Sequence, residues 1–202
     1  MLALKAAACL AGVAGIAFLR ISKANHPYAS FGAANYVTAI RALLVTVVAG
    51  AIGEPPAPRL AATVAAVAIA VAVMDGADGW LARRSRMTSA FGARFDMEID
   101  ALLILALSVL AWRHGKAGAW ILASGLWRYA FVAAGASAPW LRAALPPSRR
   151  RQTIGVIQIA ALTLVMLPAV EPPTSTAVAA AALVTLSCSF LTDTRWLWRH
   201  AA

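Results

Sequence analysis

The amino-acid sequence predicts an all-α integral membrane protein, a bundle of six transmembrane helices with an additional hydrophobic helix at the N-terminus. Composition gives the first indication: 61% of the 202 residues are hydrophobic and only 13% are charged. Soluble domains average about half apolar and a quarter charged residues. The apolar residues also recur in runs of about 20, the length that a helix needs to cross a bilayer. These observations exclude a disordered chain and a water-soluble enzyme.

Six apolar runs are separated by short segments rich in proline and glycine, which end helices. We expect the spanning helices near 36–53, 60–80, 97–112, 117–136, 154–170 and 174–192. An earlier run, 2–19, is interrupted only by Lys5 and could be a further spanning helix, an interfacial anchor or a signal-like segment. We interpret it as an uncleaved helix within an N-terminal segment, 1–31, that precedes a membrane domain over 32–202.

The net charge of +10 is concentrated between the apolar runs. Most lysines and arginines fall on the side that carries 20–35, 81–95, 137–153 and the C-terminus, and the opposite side keeps Arg59, Arg113 and Lys116. Cytoplasmic loops of membrane proteins are enriched in Lys and Arg, so the first side is predicted to face the cytoplasm from the cell (inner) membrane. Basic residues spread in this way argue against a nucleic-acid partner. Cys9 and Cys188 have no partner spacing that would indicate a disulfide or a metal site.

Acidic residues are rare, and most of them fall in one short part of the chain. Asp75 and Asp78 share one face of a predicted helix, and Asp96 and Asp100 share one face of the next. A short polar turn over 85–90 makes these helices antiparallel neighbours, so the four carboxylates can converge. Glu98 points away from that face, and we interpret it as a structural or partner-facing residue.

Four converging carboxylates would repel one another in a setting of low dielectric constant. Hard divalent cations with oxygen ligands, Mg²⁺ or Mn²⁺, relieve that repulsion. Gly79, Ala82 and Gly92 have little or no side chain and leave room for a bulky ligand between the helices. Arg83 supplies a planar donor fork that suits phosphate oxygens. Together these residues indicate a site for a nucleotide diphosphate.

The spacing over 75–100, Asp-x2-Asp-Gly-x2-Ala-Arg-x8-Gly-x3-Asp-x3-Asp, resembles the signature of the CDP-alcohol phosphatidyltransferase family. The upstream segment Asn35-x2-Thr38-x2-Arg41 is similar to the start of that family's first core helix. The resemblance covers about 32–192 and implies a six-helix membrane core, usually dimeric, with its active site at the cytoplasmic surface. It also implies a reaction in which a hydroxyl acceptor displaces CMP from a CDP-linked lipid or alcohol.

The resemblance further implies a role for individual residues of the motif. Asp75, Asp78 and Asp96 would hold the metal ions. Asp100 would act as general base, and whether it is also a ligand of the second metal stays open. The residues that would contact or surround the CDP moiety are Gly79, Ala82, Arg83, Ser89, Gly92, Asn35 and Thr38.

The acceptor is less well defined by the sequence than the rest of the site. Glycerophosphate-using members of the family typically read Asp-Pro-x-Ala-Asp-Lys after the third aspartate, and serine-using members read Asp-Ser-Leu-x-Asp. Here the segment reads Asp96-Met-Glu-Ile-Asp100, which matches neither pattern. An inositol-like or other polyol, free or phosphorylated, therefore stays open as the acceptor.

Arginines are the candidate ligands of a phosphorylated acceptor. Arg128 falls inside a predicted span, where a guanidinium is costly unless it is paired or lines a polar pocket; we favour the pocket. Arg149, Arg150 and Arg151 are equally consistent with a topology anchor and with contact to an acceptor phosphate.

We therefore expect a Mg²⁺- or Mn²⁺-dependent homodimeric enzyme that makes a phospholipid from CDP-diacylglycerol and a small hydroxyl acceptor. One alternative is a transporter or structural membrane protein whose aspartates bind a cation without turnover. A second alternative is a transferase that uses a soluble CDP-alcohol and a lipid acceptor.

Overall fold

The computed structural model describes residues 32–85 and 89–200, and all regular elements in these ranges are helical. The α-helices are α1 (Ala33–Gly50), α2 (Pro58–Ser85), α3 (Ala90–Arg113), α4 (Leu122–Ser137), α5 (Arg149–Met166) and α6 (Thr174–Arg199). Two 3₁₀ turns, Ala119–Ile121 and Pro139–Arg142, flank α4. The all-helical prediction is thus confirmed, whereas the helix expected over 2–19 lies outside the described residues.

Each predicted span overlaps a helix, but the bounds differ: several helices extend past the apolar run, and α1, α4 and α5 leave part of the predicted span outside the helix. α2 continues to Ser85, α5 already begins at Arg149, and α6 ends only at Arg199. A helix satisfies its own backbone hydrogen bonds, so it can continue where the sequence turns polar. The connecting segments 81–95 and 137–153 are therefore partly helical.

Long apolar helices and apolar outer surfaces support a membrane location. Pro58–Gly76 and Thr174–Arg199 are long and apolar enough to cross a membrane, and Asn35–Gly50 is a shorter apolar helix. Large apolar side chains such as Val73 and Val132 remain largely exposed on the outside of the bundle. Such surfaces are unfavourable in water and suit hydrocarbon. The count of six spans stays a prediction.

The apolar core lies between α1, α2, α3 and α5. α1 packs against both α2 and α3, and α5 packs against α2, α3 and α6. Each of the four core helices contributes a stripe of buried apolar residues at helical spacing. These stripes are Val45 and Val48 on α1, Val64, Ala68 and Val71 on α2, Leu103, Leu107 and Leu110 on α3, and Leu162, Val165 and Met166 on α5.

Polar contacts at the two ends of the bundle define how the helices run. Lys116, just after α3, pairs at 2.6 Å with Glu171, just after α5, so both helices end together. We call this the lysine end. Arg150, in the first turn of α5, pairs with Asp193 in the last turns of α6, so these two helices are antiparallel. We call this opposite end, where α3 and α5 begin, the carboxylate end.

Candidate active site

A fully buried arginine of α1, Arg41, lies at the centre of the acidic cluster. Its Nη1 donates a hydrogen bond to Asp96 of α3. Its Nη2 donates to Asp100 Oδ1 at 2.5 Å and lies 2.9 Å from Asp75 Oδ1 of α2. One guanidinium therefore joins carboxylates from two helices to a third helix that packs between them.

The positions of these charged residues follow from the stripes of the core. Arg41 lies one turn before Val45 on α1, and Asp100 lies one turn before Leu103 on α3, on the same faces. Asp75 lies one turn after Val71 on α2, which runs in the opposite direction. The apolar face of each helix thus becomes polar towards the carboxylate end, and the three faces meet there.

The three aspartates have the geometry of a candidate metal site. One oxygen from each of Asp75, Asp96 and Asp100 lies within 4.8 Å of the others. Their side chains are 32%, 37% and 31% exposed, so the cluster opens to the outside while Arg41 beneath it does not. When all three carboxylates are ionised, their charge exceeds that of the single guanidinium by two. Hard oxygen donors with excess negative charge suit Mg²⁺ or Mn²⁺.

The remaining motif residues of α2 follow Asp75 on the same helix. Asp78, Gly79, Ala82 and Arg83 all lie within α2, while their side chains lie outside the described residues. The structure therefore brings together three of the four aspartates expected to converge. The fourth carboxylate and the expected contacts to a CDP moiety stay predictions.

A close approach of α1 to α3 explains the glycine of the motif. A Cβ atom on Gly92 would lie 2.7 Å from Asn35 Oδ1 and 3.3 Å from Ser89 Oγ, so any larger residue would displace the Asn35 side chain. We expected Gly92 to leave room for a ligand, and in the structure the Asn35 amide lies in that space. Ser89 caps α3 by accepting a hydrogen bond from the Gly92 backbone at 3.0 Å. Asn35 and Thr38 are buried on the same helix as Arg41.

The structure places Arg128 against Glu98. Arg128 Nη2 on α4 donates to Glu98 Oε1, and its Nη1 lies 2.8 Å from Met97 Sδ. Within the described residues, Arg128 forms no ion pair with the three clustered aspartates. Glu98, which we interpreted as structural or partner-facing, has an intramolecular partner.

Arg150 and Arg151 fasten α5 to α6. Arg150 pairs with the buried Asp193 and donates to Ser189 Oγ at 2.8 Å. Arg151 lies 3.2 Å from the same carboxylate. Arg149 is exposed and has no ion pair with the residues that the structure describes.

Two buried polar residues of the core, Arg41 and Gln158, were not predicted from the sequence. Arg41 was predicted only as part of the upstream motif, although a charge three residues after Thr38 on an apolar helix is a signal of a buried role. Gln158 lies inside a predicted span and is fully buried in the structure. A polar side chain in a membrane-spanning segment costs free energy, so its presence there indicates a specific role.

The family model of CDP-alcohol phosphatidyltransferase matches residues 31–191, which is most of the chain. No curated protein and no solved structure matches the chain. The matched region contains Arg41, the three clustered aspartates and Gly92. The chain belongs to the CDP-alcohol phosphatidyltransferase family, whose members transfer a phosphatidyl or phospho-alcohol group from a CDP-alcohol.

Proposed function

We propose that this protein transfers a phosphatidyl group from CDP-diacylglycerol to a hydroxyl of a polyol or polyol phosphate, with release of CMP. The observation that carries the proposal is the convergence of Asp75, Asp96 and Asp100 around the buried Arg41. Family membership supplies the reaction class, transfer from a CDP-alcohol. The identities of the donor, the acceptor and the metal do not follow from family membership and belong to this proposal.

Asp75, Asp78 and Asp96 are the proposed metal ligands. The excess of negative charge over Arg41 and the partial exposure of Asp75 and Asp96 fit hydrated divalent cations. A bound Mg²⁺ or Mn²⁺ would neutralise charge on the diphosphate of the donor. Gly79, Ala82, Arg83 and Ser89 are the proposed contacts of the CDP moiety.

Asp100 is the proposed general base. It lies one turn after Asp96 on the same face of α3, and Arg41 holds one of its oxygens at 2.5 Å. That hydrogen bond fixes the orientation of the carboxylate, which favours proton transfer in a defined direction. The acceptor oxygen forms a bond to the phosphorus of the phosphatidyl group, the bond from that phosphorus to CMP breaks, and the acceptor proton passes to Asp100.

An apolar groove beside the proposed metal ligands fits the acyl chain of a lipid substrate. The groove has a volume of about 370 Å³ and lies between α2 and α5. It is lined by Ile69, Ala72, Val73, Ala160, Thr163, Leu164 and Leu167. Ala72 lies one turn before Asp75, so an acyl chain in the groove would begin close to the metal ligands. CDP-diacylglycerol would place an acyl chain here, and so would the lipid acceptor of the second transferase alternative, so the choice of donor depends on the CMP-release experiment.

We also propose that the carboxylate end faces the cytoplasm and that the protein is a multi-pass homodimer of the inner membrane. The orientation rests on the excess of arginines near this end. In a variant without Cys9 and Cys188, a cysteine at Ser148 should resist an impermeant thiol reagent in intact cells, and one at Ala169 should react. Labelling in the reverse pattern would contradict the orientation.

The decisive experiment is CMP release by the purified protein in detergent. We expect release from CDP-diacylglycerol that requires Mg²⁺ or Mn²⁺ and a polyol or polyol phosphate, and that is absent in Asp96→Ala. Faster release from a soluble CDP-alcohol with a lipid acceptor would support the second transferase alternative. Absence of CMP release with either class of donor would support a cation-binding protein without turnover.

A further inference from the structure

Gln158 of α5 is a fully buried polar side chain without a hydrogen-bond partner among the residues that the structure describes. Its exposure is 0%, and neither Oε1 nor Nε2 contacts another polar atom of the described residues. Burying an amide without partners costs more than burying an apolar side chain of the same size. A residue that served only to fill the core would therefore be leucine or methionine at this position.

The position of Gln158 repeats the pattern that forms the acidic cluster. It lies one turn before Leu162 on the buried face of α5, as Asp100 lies one turn before Leu103 on α3. Both helices begin at the carboxylate end, because both end together at Lys116 and Glu171. Of the four stripes that build the core, the one on α5 thus also turns polar towards this end. Gln158 is its polar residue.

The chemistry of the amide indicates the kind of group that would satisfy it. A glutamine amide offers one acceptor oxygen and two N–H donors, whereas ester and phosphate oxygens can only accept. A hydroxyl both donates and accepts, so one hydroxyl can bond with either atom of the amide. The ligand that best matches Gln158 is therefore an alcohol.

The geometry of the reaction indicates which alcohol this is. The motif residues expected to contact or surround the CDP moiety lie on α1, on α2 and at the start of α3, and α5 carries none of them. In an in-line displacement the attacking oxygen approaches opposite the leaving group. The acceptor would then lie between Asp100 and α5.

We propose that Gln158 determines acceptor specificity by binding a second hydroxyl of the polyol, next to the hydroxyl that attacks. The inference rests on the proposed function. It assigns to α5 a part in substrate recognition besides its arginines. It also gives a role to a buried amide that the described part of the apolar core leaves unbonded.

The test compares acceptors that differ by one hydroxyl, in the wild type and in two variants. Suitable pairs are glycerol 3-phosphate with 3-hydroxypropyl phosphate, and myo-inositol 1-phosphate with its monodeoxy analogues. In the wild type, loss of the neighbouring hydroxyl should lower kcat/KM by about 10- to 100-fold, the cost of leaving a buried polar group unmatched. In Gln158→Leu and Gln158→Met this preference should disappear, because neither side chain can bond to the hydroxyl.

Thermal unfolding in detergent separates this role from a structural one. Both Gln158 variants should unfold at the wild-type temperature or above it, since they remove an unmatched amide from the core. Ser108→Ala is the matched control, because Ser108 is buried on α3 and its hydroxyl donates to the Ile104 carbonyl at 2.7 Å. This control should keep the acceptor preference.

Several results would overturn the proposal. A wild type indifferent to the second hydroxyl, or a Gln158→Leu variant that keeps the full preference, would remove Gln158 from acceptor recognition. Loss of folding in both Gln158 variants would assign the residue to the architecture of the bundle. Absence of CMP release with every acceptor would instead refute the proposed function itself, which makes the two failures distinguishable.

Discussion

The carboxylate end and the lysine end are both built on a buried cation, and they differ in charge balance. Lys116 pairs with one carboxylate, Glu171, and donates to the Val170 carbonyl at 2.8 Å. Arg41 contacts three carboxylates on two helices. Counted over the described residues, the lysine cluster is neutral, whereas the arginine cluster has two more carboxylates than cations. A cluster with excess negative charge can bind a cation, whereas a balanced ion pair only joins two helices. The buried arginine holds the excess carboxylates in place.

The surroundings of the two buried cations also differ in charge. At the lysine end, Ser175 Oγ donates to the Lys116 carbonyl at 2.7 Å, so the loop after α3 is fastened to the start of α6. Burial, together with the positive charges of Lys116 and Arg113, lowers the pKa of His114 there. The lysine end disfavours a further cation, and the carboxylate end favours one.

The largest effect is expected from removing one of the clustered carboxylates. Asp96→Ala or Asp75→Ala should abolish CMP release at ordinary Mg²⁺ concentrations, because a metal ligand is lost. Glu171→Gln at the lysine end is the matched change, and it should leave turnover close to that of the wild type. CMP release at saturating donor measures both. Equal losses at the two ends would mean that the difference in charge balance has no functional meaning.

Asp100→Asn should lower turnover by at least about 100-fold, the lower part of the range for losing a general base. The amide keeps the size of the side chain and a hydrogen bond to Arg41 but cannot take up the acceptor proton. Binding of CDP-diacylglycerol in the presence of Mg²⁺ should be largely retained. Turnover near the wild-type level would remove Asp100 from the mechanism.

Arg41→Lys sharpens the comparison between the two cations. Lysine keeps the charge but replaces the rigid fork with a single point of contact, so at least one carboxylate loses its hydrogen bond. We expect kcat to fall by about 10- to 100-fold, since a hydrogen bond to a charged group contributes about 1.5–3 kcal/mol. Lys116→Arg is the reciprocal change and should affect stability rather than kcat. An Arg41→Lys enzyme of full activity would show that the fork does not position the carboxylates.

The helices and the shared face of Asp96 and Asp100 could be predicted because both depend on local spacing. Apolar runs set the helices, and intervals of three and four residues place Asp96 and Asp100 on one face. The position of Arg41 between them could not be predicted, because a helical wheel gives a face but not the helix that packs against it. The ends of α2 and α5 were missed for another reason: the length of an apolar run measures the membrane-spanning part and not the whole helix.

Arg149→Ala should raise the KM of a phosphorylated acceptor by roughly tenfold, the cost of one charge-assisted hydrogen bond. Of the three arginines at the start of α5, Arg149 is the most available to bind a phosphate, because Arg150 and Arg151 both contact Asp193. The KM of the unphosphorylated polyol should not change. A similar rise for both forms of the acceptor would show that Arg149 does not recognise the phosphate.

The smallest effect is expected at Arg128, because Glu98 competes for its guanidinium. The pocket that we favoured for Arg128 is not seen in the described part of the chain, and the structure instead pairs Arg128 with Glu98. If Arg128 binds an acceptor phosphate, it must exchange the Glu98 carboxylate for it. Arg128→Ala should then raise the acceptor KM by only about three- to tenfold, less than the full value of a charge-assisted hydrogen bond. Glu98→Gln should lower that KM, since the competing charge is gone while the size of the side chain is kept. Donor KM is the internal control and should stay constant in both variants. If the acceptor KM changes with the same sign in the two variants, or changes in neither, the pair only joins α3 to α4. Loss of either partner would then break the same contact, so the two variants should behave alike.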